Sequence, residues 1–341
     1  MTDLIEIQKK IVPEILELLE TRYNILRAIY YNQPIGRRNL AHKLNMGERV
    51  IRTEVNLLRE QGLLNIETTG MYITEEGREI INSLSGVIYQ LKGITELEDK
   101  LKKVLGVEKI IIIPGDSDDN SLVLKDMGKN TSIYLKKMIK DNNIIGITGG
   151  STMAYVANEM PMGKVANNII ITPARGGLGK NVETQSNSIA AKLAKKLDGN
   201  YSLLHIPDNI DKKALDAVLS IADVREVLEL IGNMDILVFG MGRADIMAER
   251  RQLSQEAIAQ LIEKGAVAEA FGHYFDINGG EIWESPTIGL SLEGFQKIPK
   301  VIGVAGGEKK AEAIISIASL RKNMTIITDE GAARKIIKIC K

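Results

Sequence analysis

The sequence predicts an α/β protein in two parts, an N-terminal winged helix-turn-helix and a C-terminal domain built on a mainly parallel sheet. The first part is predicted by helical spacings followed by two short β-prone runs, all within residues 1–85. The second is predicted by residues 107–341, where apolar β-type runs alternate with helical patterns. Runs that are apolar throughout are typical of parallel strands covered by helices on both faces. Residues 86–106, which lie between, are assigned to a connecting helix.

Length and composition are those of a globular protein: 341 residues, of which 44% are hydrophobic and 26% are charged. No apolar stretch approaches the ~20 residues that cross a bilayer, and the polar N-terminus lacks the apolar core of a signal peptide. The single cysteine, Cys340, has no partner for a disulfide. We therefore expect a cytoplasmic protein that does not bind a membrane.

The N-terminal part has the pattern of a helix-turn-helix. Residues 4–31 place apolar side chains at helical spacing, with Pro13 near a helix start, which predicts two helices. A short helical pattern at 34–44 is broken at 45–47 and followed by a longer one at 48–60. Two short helices joined by a tight turn are the DNA-binding unit of many regulators.

Two features suggest that this helix-turn-helix binds a polyanion. A polar turn containing Gly70 joins two β-prone runs in residues 62–74, which predicts a wing, and a helix follows from Glu75. Residues 21–66 carry eight basic and three acidic side chains. The residues predicted to contact DNA are Arg37, Arg38, Arg49, Arg52, Thr53 and Asn56. The alternative is a three-helix packing module whose basic side chains are merely solvated.

The connecting helix is predicted from apolar residues spaced by three and four between residues 83 and 105, with an interruption or bend near Gly93. This stripe is suited to pairing subunits, but burial against its own domain explains it equally well. The β-type runs that follow are 109–113, 144–148, 168–172, 201–204, 234–240, 300–305 and 324–328. Ligands of such sheets bind beyond the carboxyl ends of the strands.

The loop Thr148-Gly-Gly-Ser-Thr152 is the first candidate site. Gly149 and Gly150 permit backbone angles closed to other residues, and Ser151 and Thr152 fall where a helix start leaves free N–H groups. Such a corner attracts phosphate. The alternative is an ordinary turn between a strand and a helix.

A second corner, Gly306-Gly307-Glu-Lys309-Lys310, again follows an apolar run, so a ligand that is anionic at both ends, such as a bisphosphate, would fit. Arg175, in a glycine-rich loop, and Gln185 bring further hydrogen-bonding groups. The alternatives are a surface salt bridge for Arg175 and plain solvated charges for the lysines.

Between the corners, the stretches 247–251 and 268–276 could reach the polar body of a ligand, and Glu269 could accept hydrogen bonds from sugar hydroxyls. The alternative is a buried ion pair between Arg250 and Glu269. With three histidines, one cysteine and no triad readable from spacing, nothing indicates an enzyme, and we expect no cofactor or metal. Asp116-Ser-Asp118-Asp119 could hold a cation, but an acidic helix start is favoured. Gly240-Met-Gly242 lacks the third glycine of a dinucleotide fingerprint.

Together these residues closely resemble the SorC/DeoR group of bacterial sugar-responsive transcription regulators, over essentially the whole chain. The motifs that carry the resemblance are Pro34-Ile-Gly-Arg-Arg-Asn-Leu, Thr148-Gly-Gly-Ser-Thr152, Pro173-Ala-Arg-Gly-Gly-Leu-Gly179, Glu269-Ala-Phe-Gly-His-Tyr-Phe275, Ala305-Gly-Gly307 and Thr328-Asp-Glu-Gly-Ala332. The resemblance implies a repressor of genes for glycolysis whose winged helix binds operator DNA. It also implies an effector domain like that of sugar-phosphate isomerases and glucosamine-phosphate deaminases, and an inducer, fructose 1,6-bisphosphate, that releases the DNA.

The same resemblance implies ligand-binding roles for particular residues. One phosphate falls to Gly149, Gly150, Ser151 and Thr152 with Arg175 and Gln185 nearby; the sugar and the other phosphate fall to Arg250, Glu269, Gly307 and Lys310. Related deaminases resemble Gly-Ile-Gly-x-Asp-Gly-His where this chain has Gly240-Met-Gly-Arg-Ala-Asp-Ile246, so Ile246 replaces their general-base histidine. A pocket without its proton-transfer group suits a sensor.

Two-fold operators and the resemblance lead us to expect a homodimer that becomes a tetramer on DNA. Two other functions stay open. One is a sugar-phosphate isomerase or deaminase with an accessory helical domain; the other is a regulator that responds to a different sugar phosphate, such as a monophosphate.

Overall fold

The computed structural model describes residues 11–178, 181–206, 217–285 and 287–341. They divide into two compact units, of which the first ends at Glu96 and the second begins at Leu97. Among the described residues, no helix is both long and apolar enough to cross a membrane.

The first unit is three helices, a hairpin and a fourth helix. These are α1 (Pro13–Asn32), α2 (Arg37–Lys43), α3 (Glu48–Glu60), β1 (Leu64–Glu67), β2 (Gly70–Ile73) and α4 (Glu75–Leu91). The strands pair antiparallel, with Leu64 opposite Ile73. Thr74 ends the hairpin and caps α4 by accepting a hydrogen bond from the Gly77 N–H at 3.0 Å. The helix-turn-helix followed by a hairpin therefore forms where the sequence predicts it.

Of the two helices predicted within residues 4–31, one is described: it spans Pro13–Asn32 and begins at the proline, as expected, whereas the part of the pattern before residue 11, including Ile5, lies outside the described residues. One helical prediction in this region needs correction. The pattern at 83–105 belongs to two helices, because α4 already begins at Glu75 and α5 spans Ile94–Leu105. The interruption predicted near Gly93 is confirmed: this glycine has φ 61°, a value that favours glycine and ends the helical path.

The second unit contains eleven described strands. They are β3 (Lys109–Ile113), β4 (Ile144–Ile147), β5 (Ile170–Pro173), β6 (Asn200–Tyr201), β7 (Ile236–Gly240), β8 (Gly242–Arg243), β9 (Ala268–Ala270), β10 (His273–Phe275), β11 (Glu281–Glu284), β12 (Lys300–Val304) and β13 (Thr325–Asp329). Seven of them form a wholly parallel sheet in the order β3-β13-β12-β7-β4-β5-β6. Each of the seven predicted runs supplies one of these strands. The other four strands form a small antiparallel sheet, β11-β10-β9-β8, which was not predicted.

Helices connect and cover the strands. They are α6 (Ser121–Met138), α7 (Ser151–Glu159), α8 (Ser186–Leu197), α9 (Ala222–Gly232), α10 (Ala244–Arg250), α11 (Gln255–Glu263), α12 (Leu292–Lys297), α13 (Ala311–Leu320) and α14 (Glu330–Ile339). Alternate strand residues face opposite ways. Ile236 and Val238 join the cluster that α6, α7 and α8 cover. Phe239, on the other face, meets Phe271 and Phe295 with ring centroids 5.1 and 5.6 Å away. Burial on both faces explains the unbroken apolar runs.

The chain reverses its direction of travel across the sheet between β4 and β7. From β4 it proceeds outward through β5 to β6, and from β7 it proceeds the other way through β12 to β13. The carboxyl ends of β4 and β7 are therefore neighbours, and the Gly240 N–H donates to the Thr148 hydroxyl at 3.1 Å. A reversal of this kind leaves a crevice between the two loops that leave it.

Candidate functional site

A cavity of about 540 Å³ occupies this crevice, which is large enough for a small polar molecule. Its walls come from the loops after β4, β5 and β7, the β9–β10 turn and the turn before α13. Eight of the ten residues predicted to hold the ligand line it: Gly149, Gly150, Ser151, Thr152, Arg175, Arg250, Glu269 and Lys310. Folding thus brings together groups that lie on five separate segments of the chain.

The start of α7 supplies one polar wall. Gly150 precedes the helix with φ 110°, a conformation that a side chain would strain. Its N–H donates to the Thr184 carbonyl at 2.9 Å, which fixes the loop against the turn at Val182–Thr184. No side-chain cap is found among the described residues at this helix start, so its first-turn N–H groups retain their capacity for an anion.

Arg175, Glu269 and Arg251 form a buried charged triad in the cavity wall, with exposures of 7%, 4% and 5%. The Arg251 guanidinium donates to Glu269 Oε1 at 2.9 Å, and Arg175 Nη1 lies 3.5 Å from the same oxygen. The Gly272 N–H donates to it as well, at 2.7 Å. Two cations around one carboxylate leave a net positive charge in a desolvated wall, where it acts strongly on an anion.

This triad corrects two expectations. Glu269 does form a buried ion pair, but with Arg251 and Arg175. The alternative that paired it with Arg250 is therefore wrong. Arg175 is buried, so it is not a surface salt bridge. Arg250 lines the cavity, and its side chain is exposed.

A second group of cations converges on Lys310. Burial lowers the pKa of this half-buried amine, and Arg250 lowers it further, with a smaller contribution from Arg243. Asp118 and Asp329 act in the opposite direction. All three cations line the cavity, and the Arg243 guanidinium also donates to the Asp245 carboxylate, so Lys310 and Arg250 supply most of the positive charge that favours a negatively charged group here.

Gln185 and Gly307 are placed differently from the prediction, since neither lines the cavity. Gln185 Nε2 donates to the Leu178 carbonyl at 3.0 Å and so supports the loop after β5. The Gly307 N–H donates to Asp329 at 2.7 Å, and the Lys309 N–H donates to Asp118 at 3.0 Å. Carboxylates of this chain thus occupy two of the second corner's backbone donors, the N–H groups of Gly307 and Lys309, and Lys310 is the residue of this corner that lines the cavity.

The aspartates before α6 are accordingly not a helix start. α6 begins at Ser121 and is capped by Asn120, whose side chain accepts from the Leu122 N–H. Asp118 instead binds the turn at Glu308–Lys310, whereas burial and, to a lesser degree, the nearby Asp329 raise the pKa of Asp116. Gly179, the last residue of the Arg175 motif, lies outside the described residues.

Sequence reasoning gave no ligand-binding role to the cavity residues Met241 and Arg243, and it named Arg251 and Phe271 only as members of stretches that could reach a ligand. A signal for Arg251 was present. In α10 the buried residues Ala244 and Ala248 are four apart, and three further positions reach Arg251 on the same face. Arg250 lies one position off that face, so helical spacing distinguishes the buried arginine from the exposed one.

In the first unit, α3 presents a polar face. Arg49, Arg52 and Thr53 are exposed and Asn56 is half-buried. Ile51, Val55 and Leu58 form the buried face, whereas Val50 is 48% exposed. On α2, Arg38 is exposed with Nε 3.6 Å from Glu48, and Arg37 is half-buried. The predicted DNA-contacting residues of α3 thus lie away from its core.

Two family models match the chain. A model described as a sugar-binding domain, Sugar-bind, matches residues 89–338. The CggR N-terminal DNA binding domain matches residues 18–88.

Individual relatives match over almost the full length. The chain is 39% identical over 338 residues to the central glycolytic genes regulator of Bacillus subtilis (strain 168), covering 99% of each. It is 38% identical over 339 residues to the central glycolytic genes regulator of Priestia megaterium, again covering 99% of each. Among solved structures, a SorC family transcriptional regulator from Enterococcus faecalis is 37% identical, with a TM-score of 0.67, over 71% of this chain and 99% of that one.

Proposed function

This chain belongs to the SorC/DeoR family of transcriptional regulators, and from that premise we propose that it represses glycolytic genes by binding operator DNA, and that fructose 1,6-bisphosphate in the cavity releases it. The gene class is that of the two relatives, which are named as regulators of central glycolytic genes. The ligand is inferred from the cavity and from the family resemblance.

The observation that carries the choice of ligand is the presence of two separate groups of anion-binding residues in one cavity. One comprises the uncapped start of α7 with Arg175; the other comprises Lys310, Arg243 and Arg250. A ligand with phosphates at both ends satisfies both groups, and a monophosphate satisfies one. Glu269 lies in the same wall and is suited to accept hydrogen bonds from sugar hydroxyls.

Ile246 favours a sensor over an enzyme. It lines the cavity, at the position where the resemblance to deaminases implies a general-base histidine in those enzymes. An isoleucine cannot take up or release a proton, so the cavity binds sugar phosphates without turning them over.

Operator binding is assigned to α3. Its exposed Arg49, Arg52 and Thr53 are side-chain types that read base edges or hold phosphates. The hairpin β1–β2 acts as the wing of a winged helix. A two-fold operator is matched by a homodimer, and two dimers on DNA make the tetramer.

The deciding experiment is the thermal stability of the full chain with sugar phosphates, because a ligand that binds only the folded state raises Tm. Fructose 1,6-bisphosphate should raise it more than fructose 6-phosphate or fructose 1-phosphate at equal concentration. Lys310→Ala should remove most of that advantage. Equal shifts with the monophosphates would reject the bisphosphate as inducer, and turnover of any of these sugars would favour the enzyme.

Operator binding is tested with Arg52→Ala. The change should weaken binding to the chain's own promoter DNA by ~1–3 kcal/mol if the guanidinium reads a base. Arg225→Ala, an exposed arginine on α9, is the matched control and should bind normally. Unchanged affinity in the Arg52 variant would remove this residue from the interface.

A further inference from the structure

The small antiparallel sheet carries a second cluster of polar side chains, none of which lines the cavity. His273 opens β10 and is 8% exposed, with its ring stacked near that of Phe275. In β11 its cross-strand partner is Glu284. Paired residues of antiparallel strands project to the same face, so this register places a carboxylate beside the imidazole.

A bulge adds the second carboxylate. Tyr274 pairs with Trp283, but Phe275 pairs with Glu281, so β11 contains one extra residue, Ile282. In a regular strand Ile282, and not Glu281, would share the face of Glu284. The bulge instead turns Glu281 toward His273, whereas Ile282 packs with the apolar cluster around Tyr274. A bulge that re-aims one side chain toward two others is a specific feature of this hairpin.

The resulting distances suit an ion. His273 Nδ1 lies 2.7 Å from Glu281 Oε1, and Nε2 lies 3.9 Å from Glu284 Oε1. One ligand atom from each of the three residues lies within 4.8 Å of the others. Imidazole nitrogen and carboxylate oxygen bind zinc at ~2.0–2.2 Å, which separates neighbouring ligands by about 3.3 Å in a tetrahedral site. Because the two carboxylates approach different nitrogens of the ring, an ion held by one nitrogen requires the exposed Glu281 and Glu284 side chains to rotate toward that nitrogen.

We propose that His273, Glu281 and Glu284 bind a divalent transition-metal ion, with zinc as the reference ion, that ties β10 to β11. Three protein ligands leave one tetrahedral position for water. A single nitrogen with two carboxylates selects zinc, cobalt or nickel over calcium, which prefers six to eight oxygen ligands. The ion lies directly after the Phe271–Gly272 turn, so it braces the hairpin whose turn contributes Phe271 to the cavity. The site is independent of the proposed regulatory function.

The test uses the full-length chain without an affinity tag and Co²⁺ as a spectroscopic probe of the zinc site. Titration should give visible absorption that saturates at one Co²⁺ per chain and is abolished by competing Zn²⁺. Glu281→Gln combined with Glu284→Gln changes two exposed side chains, so it preserves folding and should weaken binding more than about a hundredfold. His273→Asn should have the same effect.

A matched control separates this site from adventitious binding to histidine. His42 and His205 are the other two histidines of the chain and both are exposed, so His42→Asn with His205→Asn should leave binding intact. Zn²⁺ should raise the Tm of this control and of the unaltered chain, but not that of the double glutamine variant. Binding that survives in the glutamine variant, disappears in the control or is absent throughout overturns the site.

Discussion

Two adjacent arginines, Arg250 and Arg251, show how a shift of one position along a helix changes the role of a side chain. Arg251 is buried and donates to Glu269, which also receives the Gly272 N–H. Arg250 is exposed in the same cavity and lowers the pKa of Lys310 by repelling its charge. Arg251 therefore stabilises the fold of the cavity wall, and Arg250 remains available for a ligand.

Substituting the two arginines one at a time should show that Arg251 stabilises the fold and that Arg250 binds the ligand. Arg251→Leu leaves Glu269 buried with only Arg175 as a cationic partner, and should reduce the free energy of unfolding by about 3 kcal/mol. Arg250→Leu should change it by less than about 0.5 kcal/mol while weakening sugar-phosphate binding. Urea denaturation gives the first quantity and calorimetric titration the second. Equal stability of the two variants would contradict the assignment.

Lys310 should make the affinity for a sugar phosphate depend on pH, in a direction that the surroundings of its amine determine. Its pKa lies below the ordinary 10.5 because the amine is buried and faces Arg250. A bound phosphate raises it again, so binding takes up protons between the free and bound pKa values, and affinity falls as pH rises through that interval. The slope is at most about tenfold per pH unit for one proton.

Calorimetry from pH 7 upward checks this, because the phosphates themselves titrate near pH ~6. Buffers of different ionisation enthalpy report the proton uptake directly. Lys310→Ala should bind more weakly, with little pH dependence in the same range. Affinity of the unaltered chain that rises or stays level with pH would show that Lys310 does not meet the ligand's charge.

At the scale of elements, the cavity depends on how α7 begins. The helix start is held by a loop whose Gly150 has φ 110° and ψ 161°, angles open essentially to glycine alone. A Cβ at Gly150 would meet no atom within 4 Å, so the obstacle is backbone strain and not crowding. By contrast, Gly232 at the end of α9 has helical geometry and equally open surroundings.

Alanine at these two glycines should have opposite effects. Gly150→Ala should cost ~1–3 kcal/mol of stability, from strain, and weaken phosphate binding because the α7 start moves. Gly232→Ala should cost nothing and gain up to about 1 kcal/mol, because alanine has fewer unfolded conformations. Thermal denaturation and phosphate titration of both variants test this. A Gly150→Ala chain with unaltered Tm and affinity would show that the loop tolerates another conformation.

At the scale of the whole molecule, the proposed function requires communication between two compact units. The cavity lies wholly within the second unit and α3 within the first, so no residue serves both sites directly. The effect of ligand on operator binding must then be a coupling free energy, and such coupling is reciprocal.

Operator DNA should therefore weaken sugar-phosphate binding by the same factor by which the sugar phosphate weakens operator binding, within the ~5–150-fold range usual for such systems. Ligand titration of the free chain and of its operator complex measures the factor, with DNA of equal length and unrelated sequence as control. Identical ligand affinity in all three samples would mean that the two sites are not coupled.

The sequence by itself determined the large-scale architecture. Unbroken apolar runs mark strands buried on both faces, so all seven parallel strands were predictable, and so were the helix-turn-helix and its hairpin. Local patterns also pointed to Gly149, Gly150, Ser151 and Thr152, because glycines and hydroxyl groups after a strand report the backbone geometry of their own loop. The family resemblance implied the ligand roles of the charged cavity residues Arg175, Arg250, Glu269 and Lys310.

Only the tertiary structure decided which charges pair. Asp118 reaches the Lys309 N–H across 191 positions of the chain, so a corner that looks free in the sequence has its donors occupied. Glu269 takes Arg251 and Arg175 instead of Arg250, because helical rotation and the approach of distant loops select its partners. The bulge that aims Glu281 at His273 is likewise a property of strand pairing. The backbone conformation of a loop is determined by a few neighbouring residues, whereas charge pairing depends on which distant groups the fold brings within about 4 Å.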